Sequence, residues 1–343
     1  MKLADFHYDL PASAIAQEPA SPRDQSRLMV LNRRNDAIEH HHFQEIIGHL
    51  KPGDVLVLNA TKVFPARLRG KKKTGGKAEV LLLEPLQNSV WRGLVRGATQ
   101  ATDLLFPENL EARMTERLSE GEWELTFSSN HLREYLDRHG EMPLPPYIKR
   151  TAAQAQDLER YQTVYARQEG AVAAPTAGFH FTEPLLEKIR VQGISVVSVV
   201  LHVGWGTFRP VRTETIEAHA MLPEAYEVSD DAARDLNQAR QQRRRIIAVG
   251  TTAVRTLETV CDSQGTFRAG KGHAELFIYP GYRYQAVDAL ITNFHLPDST
   301  PLLLASAFYG GTKDNPFSLR FAYDEAIRKN YRFYSYGDAM FIE

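Results

Sequence analysis

Gly170-Ala171-Val172-Ala173-Ala174-Pro175-Thr176-Ala177-Gly178-Phe179-His180-Phe181-Thr182 is the stretch on which the reading of the chain turns. Its side chains from Gly170 to Gly178 are small, so the backbone can come close to a ligand. Pro175 stiffens the turn. Thr182 has the signature of an N-cap: Glu183 and Pro184 follow in the first turn, and Leu185, Leu186 and Ile189 lie on one apolar face. A glycine-bearing loop thus delivers His180 to a helix N-terminus, where free N–H groups and the dipole favour an anion. The competing reading is a tight helix entry with His180 merely exposed.

Outward from this loop, polar groups recur at strand ends. Val55-Leu56-Val57-Leu58 reads as a buried strand ending in Asn59-Ala60-Thr61-Lys62, and Ile194 to Val203 as a β-branched strand ending in His202, Gly204, Trp205, Thr207 and Arg209. Ile246 to Val249 leads to Thr251 and Thr252, which open a helix containing Arg255; Leu290-Ile291-Thr292 leads to Asn293 and His295. Phe277 to Tyr282 is expected as a further strand and turn, and Phe43, Ile46, Ile47 and Leu50 as a short helix. Strand ends of one polarity gather at one edge of an α/β domain, which favours an enzyme site there over a purely structural domain.

Between residues 63 and 150 the texture changes to short strands with Gly-rich turns, closing at Pro143-Leu144-Pro145-Pro146. The expectation is an α/β main domain, with a mixed sheet or a barrel-like one, from residues 1–62 and 151–343, interrupted by a small antiparallel β-barrel at 63–150. The inserted module carries the densest basic cluster: Lys62, Arg67, Arg69, Lys71, Lys72, Lys73 and Lys77 around a Gly75-Gly76 turn. It could hold phosphates, or it could be a solvated hairpin with edge-protecting lysines.

Composition sets bounds. The 343 residues are 43% hydrophobic and 24% charged with a net charge of −1, so bulk charge does not announce a nucleic-acid partner. Cys261 stands alone, which excludes an intramolecular disulfide and a cysteine-cluster metal site. The N-terminus has no signal-peptide pattern and no run is apolar enough to span a bilayer, so a cytoplasmic location is expected. His40, His41 and His42 suggest metal, but with no third ligand in view they read as a surface segment, and no metal site is expected. Gly265 to Lys271 nearly spells a phosphate-binding loop, but Gly272 stands where a magnesium-binding Ser or Thr belongs.

Several strings in order resemble the S-adenosylmethionine:tRNA ribosyltransferase-isomerase family of queuosine biosynthesis. They are Arg23-Asp24-Gln25-Ser26-Arg27, Asn59 to Leu68, Tyr161 to Ala166, Ala173 to Thr182, Leu201 to Phe208, Thr292 to Pro297 and Tyr336 to Met340. The likeness spans essentially the whole chain. One departure shows: Leu222 stands where the family pattern has a second His after Met221, which weakens any pairing role for His219. The resemblance implies an α/β domain with an inserted β-barrel. It implies transfer of the ribosyl part of S-adenosylmethionine, a co-substrate, to a 7-aminomethyl-7-deazaguanine at the wobble position of tRNA. No permanently bound cofactor, no membrane and a monomeric state are expected. Such chemistry needs proton transfer, so His180, His202, His295 and Glu224 become the catalytic candidates. Trp205 and Phe181 could stack on adenine or face the sulfonium, Thr251 and Thr252 could receive a carboxylate, and Lys62 and Arg67 could hold the anticodon arm. Asn59, Thr61, Tyr165, Thr176, Gly178, Gly204, Thr207, Arg209, Arg255 and Asn293 complete the expected substrate-binding set.

Overall fold

The computed structural model describes residues 1–118, 121–150, 154–208 and 211–343, with the side chains of 207 and 208 left aside. Its strands are β1 (Arg27–Asn32), β2 (Ala37–His42), β3 (Val55–Asn59), β4 (Thr61–Val63), β5 (Arg67–Lys72), β6 (Lys77–Gln87), β7 (Val90–Arg96), β8 (Asp103–Leu105), β9 (Glu111–Arg117), β10 (Glu122–Phe127), β11 (Gln168–Ala171), β12 (Ser195–Leu201), β13 (Glu224–Val228), β14 (Ile246–Val249), β15 (Gly270–Ala274), β16 (Ala289–Asn293) and β17 (Ala339–Ile342). Among the described residues seven α-helices join them: α1 (Leu132–His139), α2 (Ala155–Arg160), α3 (Glu183–Val191), α4 (Asp230–Gln241), α5 (Thr251–Val260), α6 (Thr300–Tyr309) and α7 (Arg320–Arg328). Among the described residues, no helix is long and apolar enough to cross a membrane.

Nine strands make one mixed sheet in the order β15-β13-β12-β3-β14-β16-β17-β1-β2. It is open, with two edges, so the barrel-like alternative for the main domain is set aside. Its centre, β12-β3-β14-β16, is parallel. Period-two alternation sorts the strand residues into two cores. Val55, Val57, Met29, Leu31, Ile246 and Ala248 face α4 to α7, while Leu56, Leu58, Leu28, Val30, Ile247 and Val249 face α3 and the turn at Phe43–Gly48. Covering both faces is what makes these strands read as unbroken apolar runs.

Six strands, β10-β7-β6-β5-β8-β9, close into an antiparallel barrel around Leu68, Val80, Leu82, Leu104, Met114 and Leu125. The chain enters it through β4, which pairs with β11 on the far side of the insertion, and Arg67 and Glu141 exchange backbone hydrogen bonds at its base.

One sequence expectation needs correction. No strand forms at Phe277–Tyr282; Gly270–Ala274 supplies the edge strand instead, although it has almost no apolar side chains. Ile278 is buried, and Phe277 and Tyr279 pack on the core, from irregular backbone, so the apolar signal there marks packing and not a ladder. The short helix expected from Phe43 does form, as a 3₁₀ helix over Phe43–Gly48. Thr182 does cap α3, accepting the Leu185 N–H at 3.3 Å.

The loop before α3 is built on contact distance. A Cβ added to Gly178 would lie 1.9 Å from Tyr165 Oη and 2.7 Å from Thr163 Cγ2. Tyr165 and Gly178 are therefore paired by packing, and both are buried. Gly178→Ala should destabilise the protein by about 1–3 kcal/mol. Adding Tyr165→Phe, which removes the clashing hydroxyl, should recover part of that loss in urea denaturation; strictly additive losses would refute the contact.

Candidate active site

The C-terminal ends of the four central parallel strands converge on one edge, where open α/β sheets bind ligands. Asn59 closes β3 there. Its Nδ2 donates to Leu201 O at 3.0 Å and Thr252 Oγ1 at 3.1 Å, and its Oδ1 accepts from Leu201 N at 3.0 Å and Thr61 N at 3.2 Å. All four hydrogen-bonding positions of the amide are used. Asn59 is thus a tie between β12, β4 and α5, with nothing left for a substrate.

Above this tie, a cavity of about 700 Å³ opens between the sheet edge and the barrel. His202, Gly204, Trp205 and Glu224 line it from the main domain; Phe64, Glu84, Trp91, Arg92, Glu122 and Arg133 line it from the barrel side. His202 Nδ1 lies 2.8 Å from Thr61 Oγ1, and that hydroxyl is 3.5 Å from Gln168 O. With the hydroxyl proton on the carbonyl, Nδ1–H is the donor to Thr61 and Nε2 keeps a lone pair. Desolvation holds the His202 pKa below its ordinary value, against an upward pull from Glu227, so the ring is neutral and can accept a proton. Its seat requires a glycine: at Gly170, with φ +154°, a Cβ would meet the ring at 2.8 Å.

Glu224 is the buried part of this wall. Its Oε1 accepts the Gly204 N–H at 2.8 Å and its Oε2 pairs with Arg255. Arg255 also donates to Ala274 O at 2.8 Å and Leu276 O at 3.2 Å. Expected as a substrate ligand, Arg255 is instead a buried clamp on the carboxylate that shapes the turn at Gly204. Trp205 donates to Glu122 Oε1 at 2.7 Å and packs against the barrel core, so it joins the two walls of the cleft.

A narrower slot of about 60 Å³ continues from the cleft, sharing Val203, and is lined by Thr176, Thr251, Thr252, Asn293 and His295. It lies at the N-terminus of α5, which opens at Gly250 with φ +87°. Beneath it His180 is 3% exposed, packed 5.0 Å from the Phe43 ring. Asn293 Nδ2 donates to His180 Nε2 at 3.2 Å and to Tyr334 O at 3.2 Å, leaving His180 Nδ1–H for Ser26 Oγ at 2.7 Å. Both ring nitrogens are engaged and the core, not the backbone of the loop alone, fixes the ring. His295 bonds Thr292 Oγ1 at 2.9 Å. Burial lowers the pKa of His180 and of His295 to about 3. Phe181 is fully buried, edge-on to Phe43, so it is core and presents no face for stacking.

Of the remaining expected residues, Lys62 is exposed on β4. Arg67 lies in a separate groove of about 790 Å³ with Arg69, Arg96, Lys149 and Arg150, where it donates to Leu144 O at 2.8 Å. Arg209 lies outside the described residues, as does the Thr207 side chain. Sequence reasoning missed the barrel wall altogether. Glu122 is 6% exposed, yet its burial comes from a partner 83 positions away, and no local pattern signals that.

Folded His180 and His295 bind protons more weakly than the unfolded chain, whose histidines titrate near their ordinary 6.5. The unfolded state therefore takes up more protons below that pH, and stability falls as pH drops from there towards 3, by about 1.4 kcal/mol per unit for each group. His180→Gln should lower stability at neutral pH but flatten its decline between about pH 6.5 and 5. A parallel decline in the variant, followed by denaturant titration at several pH values, would show that His180 carries no such linkage.

A family profile described as "Queuosine biosynthesis protein" matches residues 3–342. The S-adenosylmethionine:tRNA ribosyltransferase-isomerase of Moorella thermoacetica is 50% identical over 349 residues, and that of Thermotoga maritima 50% identical over 347, each covering all of both chains. The crystal structure of an S-adenosylmethionine tRNA ribosyltransferase from Thermotoga maritima aligns with a TM-score of 0.56 at 39% identity, covering 99% of this chain and all of that one. These whole-length matches agree with the mixed sheet and the inserted barrel: the chain belongs to the queuosine biosynthesis protein family, a family of enzymes.

Proposed function

We propose that the protein transfers and isomerises the ribosyl moiety of S-adenosylmethionine onto the 7-aminomethyl group of a 7-deazaguanine at the wobble position of tRNA. The product is epoxyqueuosine, with adenine and methionine released. The observation that carries the chemistry is His202: a neutral, desolvated imidazole on the wall of an interdomain cleft, oriented through Thr61.

The reaction makes definite demands. The attacking amine must be neutral, and a proton beside the positive sulfur is acidified and needs a base. His202 is the group suited to accept it. His180, His295 and Asn293 shape the slot that leads off the cleft, and Thr251 and Thr252 at the α5 N-terminus offer N–H groups to the methionine carboxylate. Trp205 offers an aromatic surface to adenine or the sulfonium. S-adenosylmethionine serves as a co-substrate and no permanent cofactor is invoked. Residues 63–150 act as an inserted unit whose exposed Lys71 and Lys73, with Lys62 and the arginine groove around Arg67, approach the phosphates of the anticodon arm. The enzyme works as a cytoplasmic monomer.

Adenine release should require an anticodon stem-loop carrying the aminomethyl-deazaguanine, and equal release with an unmodified loop would overturn the assignment. His202→Asn should lower the single-turnover rate by about 10²–10⁴ with S-adenosylmethionine binding retained. Thr61→Val, which preserves shape but loses the hydroxyl, should lower the rate in the same direction and displace the His202 titration seen by NMR; an unshifted titration would remove Thr61 from the relay.

A further inference from the structure

The three consecutive histidines of β2 do not act together. Strand alternation puts His40 and His42 on one face, where His40 Nδ1 meets Tyr331 Oη at 2.8 Å and His42 Nδ1 meets Gln25 O at 3.2 Å. It puts His41 on the opposite face with Glu39, and their Nε2 and Oε2 atoms are 3.0 Å apart. The turn Phe43–Gly48 then returns the chain so that His49 stands beside them, its ring 4.9 Å from that of His41 and edge-on to it. One ligand atom from each of Glu39, His41 and His49 falls within 4.8 Å of the other two. A groove of about 580 Å³ runs past His41 and His49 and gives an ion a way in.

We propose that Glu39, His41 and His49 form a zinc site that clips the edge strand β2 to the turn that follows it. Two imidazoles and one carboxylate suit zinc, which takes His and Glu at about 2.0–2.2 Å in tetrahedral geometry. Magnesium and calcium prefer all-oxygen sets. Ligand atoms on one such ion stand roughly 3.3 Å apart, so the Glu39–His41 contact needs only a small adjustment. The surroundings supply outer support. His41 Nδ1 faces Glu45 Oε1 at 3.9 Å, and Glu45 is itself held by the His42 N–H at 2.7 Å; a small closure of that gap would give the carboxylate–histidine–metal arrangement that orients a ligating ring. Arg245 fixes the His49 backbone, donating to its carbonyl at 2.8 Å. The fourth position is left to water. Strand β2 is the edge of the sheet remote from β13 and the cleft, so the ion has a structural role and none in ribosyl transfer.

Calorimetric titration of the full-length, untagged protein with zinc chloride should show one ion bound per chain and no comparable heat with magnesium. His41→Gln and His49→Gln should each abolish that binding, Glu39→Gln should weaken it, and Glu45→Gln should weaken it by about tenfold or more. All four side chains are partly exposed, so the variants should keep the wild-type circular dichroism. Cobalt should replace zinc and give a visible absorption band that His49→Gln removes. Absence of zinc binding, or unchanged stoichiometry and affinity in both histidine variants, would overturn the proposal.

Discussion

One amide holds the ligand-binding edge of this protein together. Asn59 ends β3, and its four hydrogen bonds reach β12, the start of β4 and the first turn of α5. A buried amide left half-satisfied would cost about 1–3 kcal/mol for each missing partner, so these elements are bound to one another as a set. The position of Thr61 follows from this tie, because its own N–H is one of the four, and the position of His202 follows from Thr61. The cleft wall is therefore specified from β3 outward, through groups that never touch solvent.

Burial also sorts the histidines. His180 and His295 sit in dry surroundings with their hydrogen bonds formed inside the protein, and the same desolvation that makes them poor bases makes them good fixed struts. His202 is only partly withdrawn from water. It keeps one nitrogen tethered, and its pKa is lowered without being driven to the extreme of the other two. The Glu224–Arg255 pair follows the same logic as the buried struts: two charges satisfy each other and adjacent backbone groups, so what reaches the cleft is the shape of the turn at Gly204 and not a free charge.

What could be read from the sequence was what is local. Val55 to Leu58 and Ile246 to Val249 are apolar on both faces and could be little else than central strands. Thr182 announces its helix because capping is decided within four residues, and Gly75-Gly76 marks a hairpin for the same reason. The strand-end positions of Asn59, His202, Thr251 and Asn293 followed from the polarity of a parallel sheet. What was hidden depended on partners far along the chain. Gly270 to Ala274 forms a strand because β13 offers it a ladder, not because its side chains favour one. His180 reads from the sequence as a group presented at a helix N-terminus, whereas Phe43 and Ser26 enclose it. Arg255 reads as a substrate ligand from the sequence, whereas Glu224, 31 residues earlier, lies against it. His49 could not be grouped with His41 without knowing that the intervening turn doubles back.

The sheet topology bears on how the chain is made. Strand β1 has β17 as its parallel partner, and β3 lies between β12 and β14. Strand β1 can pair early with β2, but β3 has no partner until β12 and β14 are made, whereas the barrel can close once residue 127 has emerged. Synthesis runs at about 5–20 residues per second, so for seconds the nascent chain carries a finished barrel and an apolar β3 without either of its neighbours. Such a chain is exposed to aggregation during translation, and the interruption of the main domain by the barrel lengthens that wait by the time needed to make the insertion.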